Sequence, residues 1–504
     1  MEKKSIIIIG AGVAGLSAGC YAQLNDYDSQ IFELHTQPGG LCTSWSRKGY
    51  TFDGCIHWLV GSGEDGLMNN LWKELGALKE RKIVDHDEFM HIQGTDGRIL
   101  IMYTDIKRFE KHLLELSPAD KKQIHELAST VHKLSKFRPI IGKPRELMKA
   151  VDGLAMIPQM LPVMGIFKKY SQMTVQEYAN QFQDELIREA LPAFALGIPD
   201  FPALALLMTL GYLNNKNAGY PVGGSLKFAQ NIEKRYQELG GKIEYKARVE
   251  KILVEGRRAV GVRLTDGREF RADLIISAAD GYATIFKMLE GKYINDEIRG
   301  YYKELPIFRP IVQVSLGVKQ DLVNQPHALV RKLKQPITIA GEKRDTIMVK
   351  HYCYDPTLAP AGKSVVEVIY PCDYAYWKLL ADEPEKYETE KKLIALTVMN
   401  EIDKVYPGFS DQVEVVDVAT PLTYERYTGN WQGSMEGWLI TTHTMAMQSN
   451  GKAMSKTLPG LDNFYMIGQW VEPGGGLPTG AISARNVIQL ICHHDKKPFV
   501  VSAA

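Results

Sequence analysis

Gly10, Gly12 and Gly15 stand at the spacing G-x-G-x-x-G directly after the apolar run at 6–9, and Glu33 closes a second apolar stretch, Gln30-Ile31-Phe32. Each residue type answers a mechanical need. Gly10 permits a tight turn, Gly12 lets a pyrophosphate approach the backbone, and Gly15 lets the following helix pack closely on its strand. The N–H groups opening that helix are free to meet phosphate oxygens. Glu33 lies near the spacing of about 20 residues at which an acid accepts hydrogen bonds from an adenosine ribose. A glycine triplet alone would be an ordinary turn; strand, helix, second strand and terminal acid together read as a dinucleotide site.

Other chemistry is absent from the pattern. The chain has no G-x-S-x-G nucleophile elbow and no H-E-x-x-H metal helix. Its six cysteines, at 20, 42, 55, 353, 372 and 492, include no C-x-x-C, so neither a disulfide scaffold nor a zinc site is expected. Cys42 and Cys55 read as small buried hydrophobes. Cys492-His493-His494 are adjacent near the chain end and cannot easily converge on one ion, so no metal is assigned. Gly61-Ser62-Gly63-Glu64-Asp65-Gly66 repeats the glycine spacing, but its acids would repel phosphate. It reads as a loop, which leaves no second fingerprint for NAD(P)H.

The elements that must position the fingerprint follow from length and pattern. At 504 residues the chain exceeds one simple core, and two domains are expected. Sixty Lys and Arg face 59 Asp and Glu, a formal charge of +1, which gives no reason to invoke nucleic acid. Met1-Glu2-Lys3-Lys4 and four isoleucines resemble the start of a signal peptide, but the run is short and enters the glycine turn. No stretch approaches 18 uninterrupted apolar residues, which argues against a spanning helix. A cytoplasmic address is expected, with peripheral contact at a membrane held open.

Residues 67–215 carry helical patterning, with helices expected around 105–116, 118–136, 174–196 and 201–213, and this region reads as an insertion. After Gly223-Gly224 come a helix at 225–239, Gly240-Gly241, and short strands at 243–245, 249–254, 259–264 and 274–277, a meander beside a parallel sheet. Segments at 311–316 and 365–369 and a helix at 386–405 indicate a mixed sheet. Near the end a strand leads through Gly468-Gln469 and Gly474 to Gly480 into a helix expected from Ala481. The fold class is therefore α/β: a Rossmann-like domain of parallel sheet plus β-meander, assembled from 1–75, 216–295 and 455–495. A discontinuous α+β substrate domain takes 76–215 and 296–454.

Together these pieces resemble the flavoprotein class that includes amine oxidases, phytoene desaturases, carotenoid isomerases and retinol saturases. The carriers are Gly10 to Gly15 with Glu33, Gly39-Gly40, Gly240-Gly241 with Val249, Ser277 to Asp280, and Gly468-Gln469 with its glycine loop. The resemblance covers nearly the whole chain and implies FAD as cofactor. It implies Gly10, Gly12, Ala14, Gly15, Glu33, Gly39, Gly40, Leu41, Val249, Gly468, Gln469, Thr479, Gly480 and Ala481 as cofactor contacts. Phe52-Asp53-Gly54-Cys55-Ile56-His57-Trp58 is similar to the segment of the retinol saturase and prolycopene isomerase branch. The chain departs from the amine oxidases at Leu41, where they often carry arginine, and from the desaturases at Trp470 and Glu472.

What this resemblance implies is an FAD-dependent oxidoreductase that desaturates or saturates carbon–carbon bonds of a lipophilic polyene or isoprenoid. A polyene cis-trans isomerase, an amine oxidase and a non-catalytic GDI-like prenyl-binding protein are the alternatives. Electrons would pass to or from a quinone, another protein or oxygen. His57 is the candidate proton shuttle, since imidazole titrates near neutral pH, beside a purely structural role; Glu472 and Tyr465 are weaker candidates. Residues 154–167 and 201–213 are strongly apolar, the first flanked by Lys143, Arg145, Lys149, Lys168 and Lys169. They read either as a monotopic membrane patch or as a helical pair covering the cavity.

Overall fold

The computed structural model describes residues 3–64, 67–138, 142–195, 197–449, 454–474 and 476–502. Asp65, Gly66 and Gly475, which belong to two of the glycine-rich segments above, lie outside the described residues.

Strand Ser5–Ile9 is the middle of a five-stranded parallel sheet. Asp28–Phe32 and then Lys242–Glu244 lie on one side of it, Leu274–Ser277 and then Phe464–Met466 on the other. Its isoleucines alternate between two cores. Ile6 and Ile8 pack with Leu16, Val487 and Ile488, while Ile7 and Ile9 pack with Val249, Ile252 and Val262. A strand buried on both faces needs an unbroken apolar run, and that is what residues 6–9 supply. The first helix, Val13–Leu24, and the last, Gly476–His494, cover one face. The antiparallel meander Val249–Glu255, Arg258–Leu264 and Glu269–Arg271 covers the other.

A seven-stranded sheet forms the second core. Its order is Val413–Ala419, Ile311–Val318, Ser364–Pro371, Glu342–His351, Ala328–Ile339, Glu88–Gln93 and Ile99–Tyr103. Pairing is antiparallel except where Ala328–Ile339 meets Glu88–Gln93, so the sheet is mixed. Residues 67–215 are thus not wholly helical: the hairpin 88–103 extends this sheet, its short alternating strands hidden between helical stretches. The expected helix at 174–196 is two helices, Val175–Ala179 and Glu185–Ala193. The break is set by the buried Asp120 carboxylate, which accepts the Gln183 and Asp184 N–H groups at 2.7 and 3.0 Å. The Asp184 side chain then caps the second helix at Ile187 N.

The C-terminal helix starts at Gly476, not Ala481. Pro478 falls in its first turn, where its missing N–H costs nothing, so Thr479 and Gly480 belong to the helix and not to the loop.

Candidate functional site

One cavity of about 940 Å³ joins the parallel sheet to the helical region and the seven-stranded sheet. Gly10, at φ +97°, makes the turn out of Ser5–Ile9. At Gly15 an added Cβ would lie 1.9 Å from the Gly10 carbonyl oxygen, so this glycine is required by helix-to-turn packing. Gly12 differs: its backbone is extended at φ −65°, and an added Cβ would find no protein atom closer than 4.0 Å, the Gly39 carbonyl oxygen. That Cβ would enter the cavity between two glycine turns. No side chain caps the first helix, so its opening N–H groups remain available to an anion.

The C-terminal segment closes on the same point. Cβ atoms added at Gly468 and Gly480 would lie 3.7 and 3.6 Å from the Ala14 Cβ. Ser483 Oγ accepts the Gly468 N–H at 2.9 Å, tying the strand end to the last helix. Glu33 is buried and held by two backbone donors, Ala11 N at 2.6 Å and His35 N at 2.8 Å. Burial raises its pKa, while each oxygen keeps a lone pair for a ribose hydroxyl. Ala247 N donates to the Glu33 carbonyl at 2.8 Å and brings Val249 alongside. This glycine cradle fits an extended flavin dinucleotide: open where a pyrophosphate must approach and acidic where the ribose would lie.

A second set of polar groups faces the cavity from Glu342–His351, Ser364–Pro371 and the segment after Asp53. Lys350 Nζ lies 2.6 Å from His57 Nδ1 and 4.8 Å from the centre of the Tyr352 ring. Across the sheet Lys350 is in register with Glu367. Glu367 accepts Asp53 N at 3.1 Å and Tyr352 Oη–H at 2.8 Å. Asp53 itself accepts from Ser225 N, Tyr220 Oη and the Ser225 hydroxyl. Burial lowers the Lys350 ammonium to about 8, opposed by Glu367 and Asp53. Burial together with the Asp53 charge pushes Glu367 up to about 8. His57 is driven well below its ordinary value by burial and by the Lys350 charge, so its ring is neutral. An ammonium can only donate; Nδ1 therefore accepts, and the ring proton resides on Nε2.

Glu436, on the wall near the start of the last helix, is pushed up to about 7 by burial. Beyond His57 the wall is aromatic. Trp58 lies 5.4 Å from Phe89 and 5.7 Å from Phe194, and Phe201 follows at 6.3 Å from Phe194.

Of the residues singled out in the sequence, Gly10, Gly12, Ala14, Glu33, Gly39, Gly40, Leu41, His57, Val249, Gly468, Gln469, Thr479 and Gly480 all line this cavity. Gly15 and Ala481 do not: Gly15 packs beneath the turn, and Ala481 is fully buried in the core below the last helix. Tyr465 lies off the wall. Glu472 pairs with Lys456 at 3.4 Å and Asn486 at 3.5 Å. Cys42 is buried with its thiol on the Ser225 carbonyl, and Gly61 packs on Met68 and Trp72. Lys350, Glu367 and Glu436 were not anticipated. A lone charge inside an apolar strand, as in Val365-Val366-Glu367-Val368 and Met348-Val349-Lys350, is the signal that would have found two of them.

Known proteins resemble the chain over nearly its whole length. The family model for flavin containing amine oxidoreductase matches residues 13–492. The chain is 24% identical to prolycopene isomerase of Arabidopsis thaliana over 97% of its own length and 82% of that protein's. It is 23% identical to the lycopene-forming phytoene desaturase of Pseudescherichia vulneris over 97% of its own length and 99% of that protein's. Among solved structures, an oxidoreductase from Methanosarcina mazei matches with TM-score 0.61 at 19% identity, over 96% of this chain and 100% of that one. A putrescine oxidase matches with TM-score 0.64 at 12% identity, over 98% and 99%. With the family match spanning nearly the whole chain and a glycine cradle shaped for the cofactor, this protein belongs to the flavin containing amine oxidoreductase family and is an FAD-dependent oxidoreductase.

Proposed function

We propose that the protein acts on carbon–carbon bonds of a long lipophilic polyene or isoprenoid. The observation that carries this reading is the continuity of the cavity, from the glycine cradle past His57 into the Trp58, Phe89, Phe194 and Phe201 wall. Similarity to phytoene desaturases and prolycopene isomerases supports it. FAD, when bound, accepts or returns a hydride equivalent. The aromatic wall orients an extended chain and excludes water. Desaturation also releases a proton. Glu436 has a pKa near neutrality and no hydrogen-bond partner among the described residues, so it is the group placed to take that proton. His57, neutral with its proton on Nε2, donates instead of accepting. An amine substrate is disfavoured because its ammonium would meet the Lys350 charge. The test is to incubate oxidised and dithionite-reduced holoenzyme with polyenes and weigh the products. A mass change of two hydrogens is expected, and altered geometry at unchanged mass would replace this reading with isomerisation.

We further propose that the lipophile arrives from a membrane surface. No single helix among the described residues is long and apolar enough to cross a bilayer. The helices Ala150–Met160 and Met164–Tyr170, bent at 86°, and the turn between them nevertheless expose apolar side chains: Val151 is 64% exposed, Leu154 65%, Leu161 in the turn 65% and Met164 59%. The first of them buries no side chain, whereas the other apolar segment forms the helix Ala203–Asn214, buried against the core and lining the cavity, as the covering reading expects. Five cations stand against Glu146 and Asp152 between residues 143 and 170. Lys143 and Lys169 pair with Asp152 and Glu126, and such surface pairs yield readily to anionic headgroups. Phe167, in the second helix, lines the cavity, so this face leads inward. Co-sedimentation with vesicles tests the proposal.

A further inference from the structure

The Lys350–His57 pair raises a question that a hydrocarbon substrate does not answer. Lys350 is 8% exposed, and His57 Nδ1 is its one hydrogen-bond partner among the described residues. Two ammonium protons and the His57 Nε2 proton therefore have no protein acceptor there, and both residues line the cavity. The carboxylates nearest in charge, Glu367 and Asp53, are spent elsewhere: Glu367 on Asp53 N and Tyr352, Asp53 on Ser225 and Tyr220. Immediately beyond stand Trp58 and Met348. In a water-filled cavity the free donors are solvated. A hydrocarbon that expels the water strands them, which costs binding about tenfold or more.

We propose that Lys350 and His57 form a subsite for an oxygen acceptor, hydroxyl, carbonyl or carboxylate, at one end of the lipophile. This rests on the carbon–carbon reading above and narrows its substrate class. An oxygen with two lone pairs accepts from Lys350 Nζ and His57 Nε2 together. Its polar contacts then replace those of the expelled water. A carboxylate can use the same two donors together with the Lys350 charge, since Glu367 behind it, pushed up to about 8, carries its proton near neutrality. Lys350 fixes the His57 tautomer, so the pair presents donors only.

The experiment titrates FAD-loaded protein with three ligands of one carbon skeleton: geranylgeraniol, geranylgeranoic acid and the hydrocarbon lacking the oxygen. Binding is followed by tryptophan quenching and by perturbation of the flavin absorbance. The alcohol and the acid are each expected to bind at least about tenfold tighter than the hydrocarbon. Lys350→Met should bring the alcohol-to-hydrocarbon ratio close to one and leave FAD affinity unchanged. Equal binding of alcohol and hydrocarbon by the native protein overturns the subsite, and so does a preference that survives Lys350→Met. A Lys350→Met protein with altered FAD affinity but intact ligand preference would place the pair against the cofactor, which also overturns it. Should that variant not fold, the three-ligand comparison on the native protein still decides. If hydrocarbon binds and is converted while the alcohol is no better, only the subsite falls. If none of the three binds, the carbon–carbon reading falls with it.

Discussion

Replacing Gly12 by alanine should weaken flavin binding without harming the fold, and replacing Gly15 should weaken binding and destabilise the fold. Gly12 has the extended backbone of φ −65° and ψ 172°, which alanine adopts without strain. Its new methyl would meet no protein atom within 4.0 Å. Apoprotein stability should therefore stay within about 0.5 kcal/mol of the native value. A pyrophosphate approaching that backbone to hydrogen-bonding distance would collide with the methyl, an overpacking cost of about 1–3 kcal/mol, or about 5- to 150-fold in affinity. At Gly15 the methyl would sit 1.9 Å from the Gly10 carbonyl oxygen and 3.2 Å from the Ala278 Cβ. Neither the Gly10 backbone nor the Ala278 methyl, which has no torsion to move it, can swing away, so the helix must withdraw by roughly 1.4 Å to restore an ordinary carbon–oxygen contact. The apoprotein itself then loses about 1–3 kcal/mol or more. Denaturant unfolding of both apoproteins and FAD titration by quenching of flavin fluorescence separate the two. Native FAD affinity in Gly12→Ala would refute the placement of the pyrophosphate, and equal loss of stability in both variants would refute the geometric distinction.

Glu367→Gln should flatten the pH dependence of stability. Glu367 rises from 4.5 unfolded to about 8 folded, so it holds its proton longer in the native state, and its contribution is lost as pH climbs from 4.5 through about 8. That slope is at most about 1.4 kcal/mol per pH unit, and urea unfolding across the interval reads it; a native-like decline in the variant would show that another group is responsible. Leu154→Glu with Leu161→Glu should lower sedimentation with vesicles containing anionic lipid by about tenfold or more, since two charges would replace inserted side chains. Unchanged sedimentation, or a monomer that becomes visible only in the variant, would assign the exposed face to another partner.

How much of this was legible depends on the range of the force involved. The fingerprint was readable because its parts act over a few residues: Gly10 turns, Gly15 packs on Gly10, and Ile6 to Ile9 alternate between two cores. The break at 180–184 was not, because it is imposed by Asp120, some 60 residues away. Helical periodicity likewise concealed the hairpin at 88–103, whose partner strand begins at Ala328. The exposed face of Ala150–Met160 could be read either way from composition alone, since an apolar helix looks the same whether it meets a core or a lipid.

The polar site shows the same limit at the level of chemistry. His57 could be singled out from its segment, but its role depends on Lys350, which lies 293 positions later. An isolated imidazole near neutral pH serves as acid or base. The same ring beside a buried ammonium is a neutral donor, with its tautomer fixed by Nδ1. In the proposed reaction, proton acceptance would then fall to Glu436, where burial alone supplies the pKa. Two tasks that the sequence placed on one histidine are thus divided between residues that no local pattern connects. The division follows from charge: a group held against a cation donates, and a carboxyl left alone in an apolar wall waits near neutrality for a proton.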